Sequence, residues 1–418
     1  MSKQNQRKEI LVYADWLGIK EPMQMGKLYS ELVRGKEIFS FEYSEKWLAS
    51  KYAQIVDSDL QHYSGLQYLD NKKENFGLFL DSSPDRWGRL LMRRREAAYS
   101  RLENRTEKTL FESDYLLGVF DGYRMGGLRF KENGNGPFLN DDRKFASPPW
   151  TSLNELEQAS LNIEREDVTD DPEYLKWLNM LIAPGSSLGG ARPKASVLDE
   201  ASNLWIAKFP GLSDEKDVGA WEMVAHELAV ESGLNVAETM IKRFTSRHHT
   251  FLTKRFDRKK DKRIHFASAM TMLGYTDFQE GASYLELAEF LTANGANINN
   301  DLEELWERIV FSICVKNTDD HLRNHGFILT DKGWILSPAY DINPNETGTG
   351  LKINISENDN SLDFDLALDV IQYFRLDKKR ALKIITDIKN VVSNWRSMAS
   401  KYNIPKNEIE MMSKAFKV

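Results

Sequence analysis

The chain has 418 residues, 41% hydrophobic and 28% charged, with a formal net charge of −7; this is too long for one ordinary domain and predicts two or three. The acidic balance disfavours autonomous nucleic-acid binding, which needs clustered Lys and Arg. Its lone Cys314 excludes a disulfide framework or multi-thiolate metal site, and no signal peptide or apolar run of about 18 residues is visible, so a soluble, cytoplasmic protein is expected.

In chain order, Ile10 to Trp16 and Glu37 to Tyr43 read as strands. Ser82-Ser83-Pro84-Asp85 is a helix-start signature. The helix it opens carries Arg86, Arg89, Arg93, Arg94 and Arg95, a basic face read as solvated or partner-facing. Leu110 to Val119 reads as another helix, and Gly126-Gly127 leads into an apolar pair, Leu128 and Phe130. From Lys131 to Trp150 the chain turns to Asn, Gly, Asp and Pro, a linker and domain boundary.

Beyond it, Asp171 to Leu181 reads as helix, and Ala195 to Leu198 with Leu204 to Phe209 as a hairpin. Val218 to Ser232 reads as a helix stopped by Gly233, followed by strands at Met240 to Phe244 and Thr250 to Arg255. Leu302, Leu305, Trp306, Ile309 and Ile313 recur at helical spacing, with Cys314 as a small residue in that stripe. Phe327 to Leu329 and Trp334 to Leu336 form a second hairpin, and the C-terminal third is mostly helical. A small mixed sheet lobe followed by a helical lobe is the expected architecture.

The chemistry concentrates in Asn317-Thr318-Asp319-Asp320-His321-Leu322-Arg323-Asn324 and in the Tyr340-Asp341 that follows the second hairpin. A kinase catalytic loop uses this spacing to place a base, a metal-binding amide and a metal-binding carboxylate. Asp319 would orient an acceptor hydroxyl and take its proton. Asn324 and Asp341 would hold Mg²⁺ against nucleotide phosphates, because hard oxygen ligands suit that ion. Asp320 reads as a solvated neighbour of the base, with an exchange of roles with Asp319 left open. His321 reads as a loop brace; zinc binding by His321 and His325 lacks a third and fourth ligand.

Upstream, Gly185 to Lys194 is a glycine-bearing loop whose N–H groups could approach phosphates. An ordinary Gly-rich turn fits it as well, and it lacks the Gly-Lys-Ser/Thr ending of the nucleotide P-loop. Lys208 alternates onto the face of Leu204 and Ile206. It reads either as an inward phosphate contact or as a solvent-facing gatekeeper. Glu222 is one candidate partner for it, with Glu227 and Glu231 on the same helix.

These residues resemble the HipA-type serine/threonine kinases, toxin components of bacterial type II toxin–antitoxin pairs. The matching motifs are Ser187-Leu188-Gly189-Gly190-Ala191-Arg192-Pro193-Lys194, Ile206-Ala207-Lys208-Phe209-Pro210, Lys254-Arg255-Phe256-Asp257-Arg258, Thr318 to Asn324, and Ser337-Pro338-Ala339-Tyr340-Asp341. Weaker similarity covers Tyr43 to Ser50 and Ser83 to Arg86. The resemblance implies an α+β, protein-kinase-like fold: an N-terminal α/β domain over 1–148, an N-lobe with the ATP loop over 149–256, and a helical C-lobe over 257–418.

It further implies Asp319 as catalytic base, Asn324 and Asp341 as Mg²⁺ ligands, and Lys208 as the phosphate-contacting lysine. Gly189, Gly190, Ala191, Arg192, Pro193 and Lys194 resemble the ATP loop; Lys254, Arg255 and Phe256 resemble the segment that meets the adenine. His321 and Tyr340 fall within the motifs expected to line the nucleotide site. Ser187, or its neighbour Ser186, matches the serine that family members autophosphorylate. Arg192 stands where Gln is common in the family, and Pro193 is also a departure, which bears on how the loop seats ATP.

The implied partner is a HipB-like helix-turn-helix antitoxin, through which operator DNA would be reached, with a protein substrate such as an aminoacyl-tRNA synthetase and no membrane. The rival expectation is a catalytically silent corepressor working with the antitoxin; phosphorylation of a small molecule or lipid by the same residues is a third.

Overall fold

The computed structural model describes residues 7–140, 150–165, 168–169, 171–182, 190–244, 247–277 and 279–418. The chain forms two compact units, Met1–Ala207 with Asp257–Ala267, and Lys208–Phe256 with Ser268–Val418.

The first unit opens with β1 (Lys8–Ala14), β2 (Met23–Val33), β3 (Lys36–Tyr43), β4 (Leu66–Tyr68) and β5 (Leu128–Lys131). They form one sheet in the order β4-β3-β2-β1-β5, each pair antiparallel. β1 and β3 stand where the sequence places strands. The eleven-residue β2 has no counterpart there, because its buried positions include Gly26 and Ser30 beside Met25 and Leu28. Such an inward face does not read as an apolar alternation. Gly26 is required by close packing: a Cβ there would sit 2.3 Å from the Glu42 carbonyl oxygen. β2 and β3 are joined by Arg34-Gly35, both at positive φ (51° and 82°), as the tightest hairpin turn requires.

Helices α1 (Glu45–Leu48), α2 (Gly77–Asp81), α3 (Arg86–Leu102), α4 (Glu112–Gly118), α5 (Leu153–Ile163) and α6 (Tyr174–Ile182) follow in this unit. Asp85 caps α3, its carboxylate accepting from Gly88 N at 2.8 Å, which satisfies one of the free N–H groups of the first turn. The basic face of α3 is in part structural, a correction to the solvated reading. Arg89 grips Glu112 with both guanidinium nitrogens, Arg94 donates to the Ile163 carbonyl at 2.7 Å, and burial lowers the pKa of Arg95. Only Arg86 and Arg93 of the five are exposed. β6 (Lys194–Leu198) and β7 (Leu204–Lys208) then run as neighbouring strands.

The second unit begins at Lys208 and holds α7 (Val218–Glu231), β8 (Thr239–Lys242) and β9 (Thr250–Lys254), the two strands pairing antiparallel. The chain then returns to the first unit as a two-rung hairpin, β10 (Arg258–Lys259) with β11 (Lys262–Arg263). Its polar side chains reach back over more than 130 residues. Arg258 donates to the carbonyls of Gly122 (3.2 Å) and Arg124 (2.6 Å), and Asp257 accepts from Gly126 N at 2.9 Å. Trp16 stacks on His265 at 4.5 Å, whose pKa burial pushes down to about 3.

After β12 (Phe266–Ser268), the second unit continues with α8 (Ala269–Leu273), α9 (Tyr284–Asn294), α10 (Ile298–Val315), the hairpin β13 (Gly326–Thr330) and β14 (Gly333–Leu336), and α11 (Phe364–Asp369), α12 (Lys378–Val392), α13 (Trp395–Lys401) and α14 (Lys406–Met411). The expected stripe of α10 is its core: Leu302, Leu305, Trp306, Ile309 and Ile313 are all fully buried, each contributing about 1.5–3 kcal/mol of transfer free energy. Cys314 is buried with them, and burial pushes its thiol up to about 12. α10 ends at Lys316, whose left-handed backbone (φ 46°) turns the chain out into the polar loop that begins at Asn317. Among the described residues no helix is long and apolar enough to cross a membrane.

Candidate active site

The core of α10 and the β13–β14 hairpin hold the two ends of the 317–324 loop, so its polar residues sit on rigid elements. Within the loop, His321 N donates to the Asp319 carbonyl at 2.9 Å and Asn324 N to the His321 carbonyl at 2.8 Å. The Asn324 side chain adds Nδ2 to the Asp319 carbonyl at 3.2 Å. This fixes the amide's orientation and leaves its Oδ1 buried without a hydrogen-bond partner among the described residues. A buried acceptor left open costs about 1–3 kcal/mol unless something fills it, so Asn324 Oδ1 is the atom in this loop best suited to a ligand.

The two neighbouring aspartates are sorted by burial. Asp319 is exposed, and its carboxylate has no hydrogen-bond or ion-pair partner among the described residues. Asp320 is only 3% exposed, a correction to its reading as a solvated neighbour. It accepts a hydrogen bond from the Tyr284 hydroxyl, and its Oδ1 lies 2.9 Å from His325 Nε2. Burial would raise the Asp320 pKa, but His325 and Tyr284 outweigh it and hold the carboxyl below its ordinary range. Tyr284, His325 and Asp320 therefore brace the loop, leaving Asp319 free. His321 serves the loop through its main chain, and its ring Nδ1 is buried without a partner.

A second cluster surrounds Lys208. Its Nζ lies 2.5 Å from Glu222 Oε1 and 2.5 Å from Asp341 Oδ1, so of the three glutamates on α7 it is Glu222 that meets it. Burial works to lower the Lys208 pKa; the two carboxylates reverse that and hold the ammonium well above its usual value. The lysine is inward, with 9% exposure, and the gatekeeper alternative falls. A small cleft lies here, lined by Glu222, His226, Phe251, Thr253, Tyr340 and Asp341 among others. His226 on its wall has burial holding its pKa down; it meets the Ala237 carbonyl at 2.6 Å and the Thr239 hydroxyl at 2.9 Å, which requires the proton on Nε2.

Three links tie the 317–324 loop to the segment around Asp341. The Tyr340 hydroxyl donates to the Arg323 carbonyl at 2.6 Å, Asn343 N to Asn317 Oδ1 at 3.1 Å, and Asn345 Nδ2 to Thr318 Oγ1 at 2.7 Å. Phe256 lies 5.5 Å, centroid to centroid, from Tyr340. Lys254 is bound to Glu238 at 2.8 Å, and Arg255 is buried. Thus the second unit brings together Asp319, His321, Asn324, Lys208, Tyr340, Asp341 and Phe256, directly or through one intermediary.

Of the glycine loop, Gly189, Ser187 and Ser186 lie outside the described residues. Gly190, Ala191, Arg192, Pro193 and Lys194 belong to the first unit. There Lys194 is fully engaged: its Nζ pairs with Asp85 at 2.9 Å, both almost completely buried, and its carbonyl accepts from Trp87 Nε1 at 3.1 Å. Gly190 adopts φ +93°, and a Cβ there would sit 3.2 Å from Lys194 Nζ.

For a metal, the donor set favours a hard cation. Asn324 Oδ1 is an open buried oxygen and Asp341 a carboxylate, which fits Mg²⁺. Among the described residues no group of three or more His, Cys, Asp or Glu could hold a metal, so a protein-only zinc cage is not built. Asn343, Asn345 and Tyr284 complete the site without standing out in the sequence, whereas Glu222 is one of three candidate partners for Lys208 there. The one available signal was the Asn-x-Asn pattern directly after Tyr340-Asp341-Ile342.

Residues 186–395 match the HipA-like C-terminal domain, half of the chain, and the protein belongs to that family. Its fold is similar to that of a chain in the Shewanella oneidensis MR-1 toxin–antitoxin complex of HipA, HipB and its operator DNA. The TM-score is 0.64 with 16% identity, over 97% of this chain and 94% of that one. A weaker likeness is to the Helicobacter pylori proinflammatory kinase CtkA, with a TM-score of 0.35 and 14% identity, over 52% of this chain and 94% of that one. No curated protein matches the sequence. The fold is HipA-like and α+β.

Proposed function

We propose that this protein is an ATP- and Mg²⁺-dependent protein serine/threonine kinase and the toxin of a type II toxin–antitoxin pair. The observation that carries the reading is the sorting of the 317–324 loop. Among the described residues Asp319 is exposed and unpartnered while its neighbour Asp320 is buried and braced, and Asn324 keeps an open oxygen. A structural loop would close these groups; a phosphotransferase needs them open.

In the reaction, Asp319 accepts the proton of the acceptor serine hydroxyl as its oxygen bonds to the γ-phosphorus of ATP, and the bridging bond to the β-phosphate oxygen breaks to release ADP. Asn324 and Asp341 hold Mg²⁺, which when bound neutralises charge on the phosphates. Lys208, oriented by Glu222, contributes a fixed positive charge to the phosphates, and Phe256 with Tyr340 supplies an aromatic wall for the adenine. The acceptor is a cellular protein, with an aminoacyl-tRNA synthetase as a first candidate, and the chain's own Ser187 or Ser186. A HipB-like helix-turn-helix antitoxin is the proposed partner and carries operator DNA binding; the Shewanella oneidensis complex of HipA, HipB and operator DNA supports that pairing.

The test is site-mapping mass spectrometry after incubation with ATP and Mg²⁺, alone and with a cell lysate, for the wild type beside Asp319→Asn. Phosphate transferred by the wild type only is the expected result, with Ser187→Ala removing the self-modification. No transfer to any acceptor by the wild type would replace the kinase reading with that of a silent corepressor.

A further inference from the structure

We propose that Asn343 and Asn345 are positioning residues that hold the base-bearing loop and the Asp341 segment in one register; this rests on the kinase reading above. Asp319 has an exposed carboxylate with no side-chain partner among the described residues, so its place is set only by the main chain around it. On its C-terminal side that chain is fixed by His321 N and Asn324 Nδ2, both donating to the Asp319 carbonyl. On its N-terminal side the side-chain holds come from residues after Asp341.

Asn343 touches both segments at once. Its main-chain N donates to Asn317 Oδ1 and its Nδ2 to Asp341 Oδ1, each at 3.1 Å. Asp341 has a left-handed backbone (φ 59°) that a non-glycine residue adopts only when its neighbours impose it. Asn345 holds Thr318, the residue directly before the base, by donating Nδ2 to its Oγ1 at 2.7 Å. The amide cannot flip, because its Oδ1 already accepts from Thr347 N (3.0 Å) and Thr347 Oγ1 (2.9 Å). Gly348 closes the contact sterically: a Cβ there would lie 2.2 Å from Thr318 Oγ1 and 2.5 Å from its Cγ2. The stitch thus fixes how far the proton acceptor stands from the metal carboxylate, a spacing on which in-line transfer depends steeply.

The experiment measures ATP-dependent phosphate transfer for the wild type, Asp319→Asn, Asn345→Ala, Thr318→Val, the double variant, and Thr318→Ser, with melting temperature recorded for each. Asn345→Ala and Thr318→Val should each lower kcat by about tenfold to a hundredfold, with KM for ATP little changed. The double variant should be no worse than the poorer single one, because both remove one contact, and Thr318→Ser, which keeps the hydroxyl, should restore turnover. Unchanged kcat in both single variants, additive losses, or failure of Thr318→Ser to rescue would overturn the positioning role while wild-type activity and the Asp319→Asn defect stand. Absence of turnover in the wild type would instead remove the kinase reading and this inference with it. Thr318→Val against Thr318→Ser keeps the test decisive should Asn345→Ala not fold.

Discussion

Arg258 in the first unit and Lys208 in the second are both cations set against carboxylates, yet their surroundings differ. Arg258 is closed on every side: it binds the Asp257 carboxylate at 2.5 Å and the carbonyls of Asp257, Gly122, Arg124 and Gly126. Lys208 meets two carboxylates, one of which, Asp341, is 27% exposed at its side chain. Buried polar atoms without partners occur in both units. Among the described residues they gather in both units: in the first, Asp121 Oδ1 and Arg263 Nη1 belong to two side chains that are ion-paired with each other, whereas in the second, His321 Nδ1, Asn324 Oδ1 and His325 Nδ1 fall within one short stretch of chain that also carries the exposed Asp319. A single orphan is a local packing compromise, whereas clustered orphans beside an exposed acid mark a place prepared for something to bind.

The comparison breaks first, and by the largest margin, at Asp319 and Asp341. Asp319→Asn should reduce phosphate transfer by about 10²–10⁴-fold, the usual range for a lost general base, with an unchanged melting temperature because the carboxylate has no partner among the described residues. Asp341→Ala should also abolish turnover at saturating ATP, and Mg²⁺ titration followed by nucleotide fluorescence should show weakened metal-dependent binding. Full Mg²⁺ dependence retained in Asp341→Ala would assign the metal elsewhere.

Arg258→Met makes the opposite prediction. It removes the Arg258 cation from the fully buried Asp257 and a donor from four carbonyls, so the first unit should lose about 3–5 kcal/mol of stability. Denaturant unfolding measures that loss, and turnover per folded molecule should be unaltered. Loss of turnover at full stability would mean that the closed network is more than structural.

What was legible follows from how each feature is written in the chain. The α10 stripe, the two hairpins and the Asp319-x4-Asn324 spacing are local and periodic, so they could be read directly. Which of two adjacent aspartates is buried could not, because a loop has no period to tell Asp319 from Asp320; their burial depends on Tyr284, 36 residues upstream of Asp320. The β10–β11 hairpin was invisible for a similar reason. Two rungs carry no alternation, and its return to the first unit rests on partners such as Gly126, 131 residues from Asp257. The arginines of α3 read as surface because composition shows their charge and not the Glu112 and Ile163 groups that receive them.

The smallest effect is the sharpest check on the idea that open charge means function. Glu307 lies on α10, the helix that leads into the 317–324 loop, and its carboxyl is also incompletely compensated. Burial first, then Glu304 and Glu303, push its pKa up to about 7 against the partial relief of Arg380. Among the described residues no orphaned polar atom lies on α10 beside it, so it reads as strain rather than as a site. An acid whose folded pKa is raised favours the protonated folded state, so its destabilisation is absent below the unfolded value, near 4.5, and grows until the pH passes about 7. Glu307→Gln should therefore match the wild type near pH 4 and exceed it above pH 7. The gain should be about 1–2 kcal/mol once residual solvent contact is allowed for, with turnover unchanged. A gain confined to low pH would reverse the assigned sign. A fall in turnover without one in stability would show that incomplete compensation near α10 serves the reaction after all, and that orphaned atoms are too narrow a criterion for where the site ends.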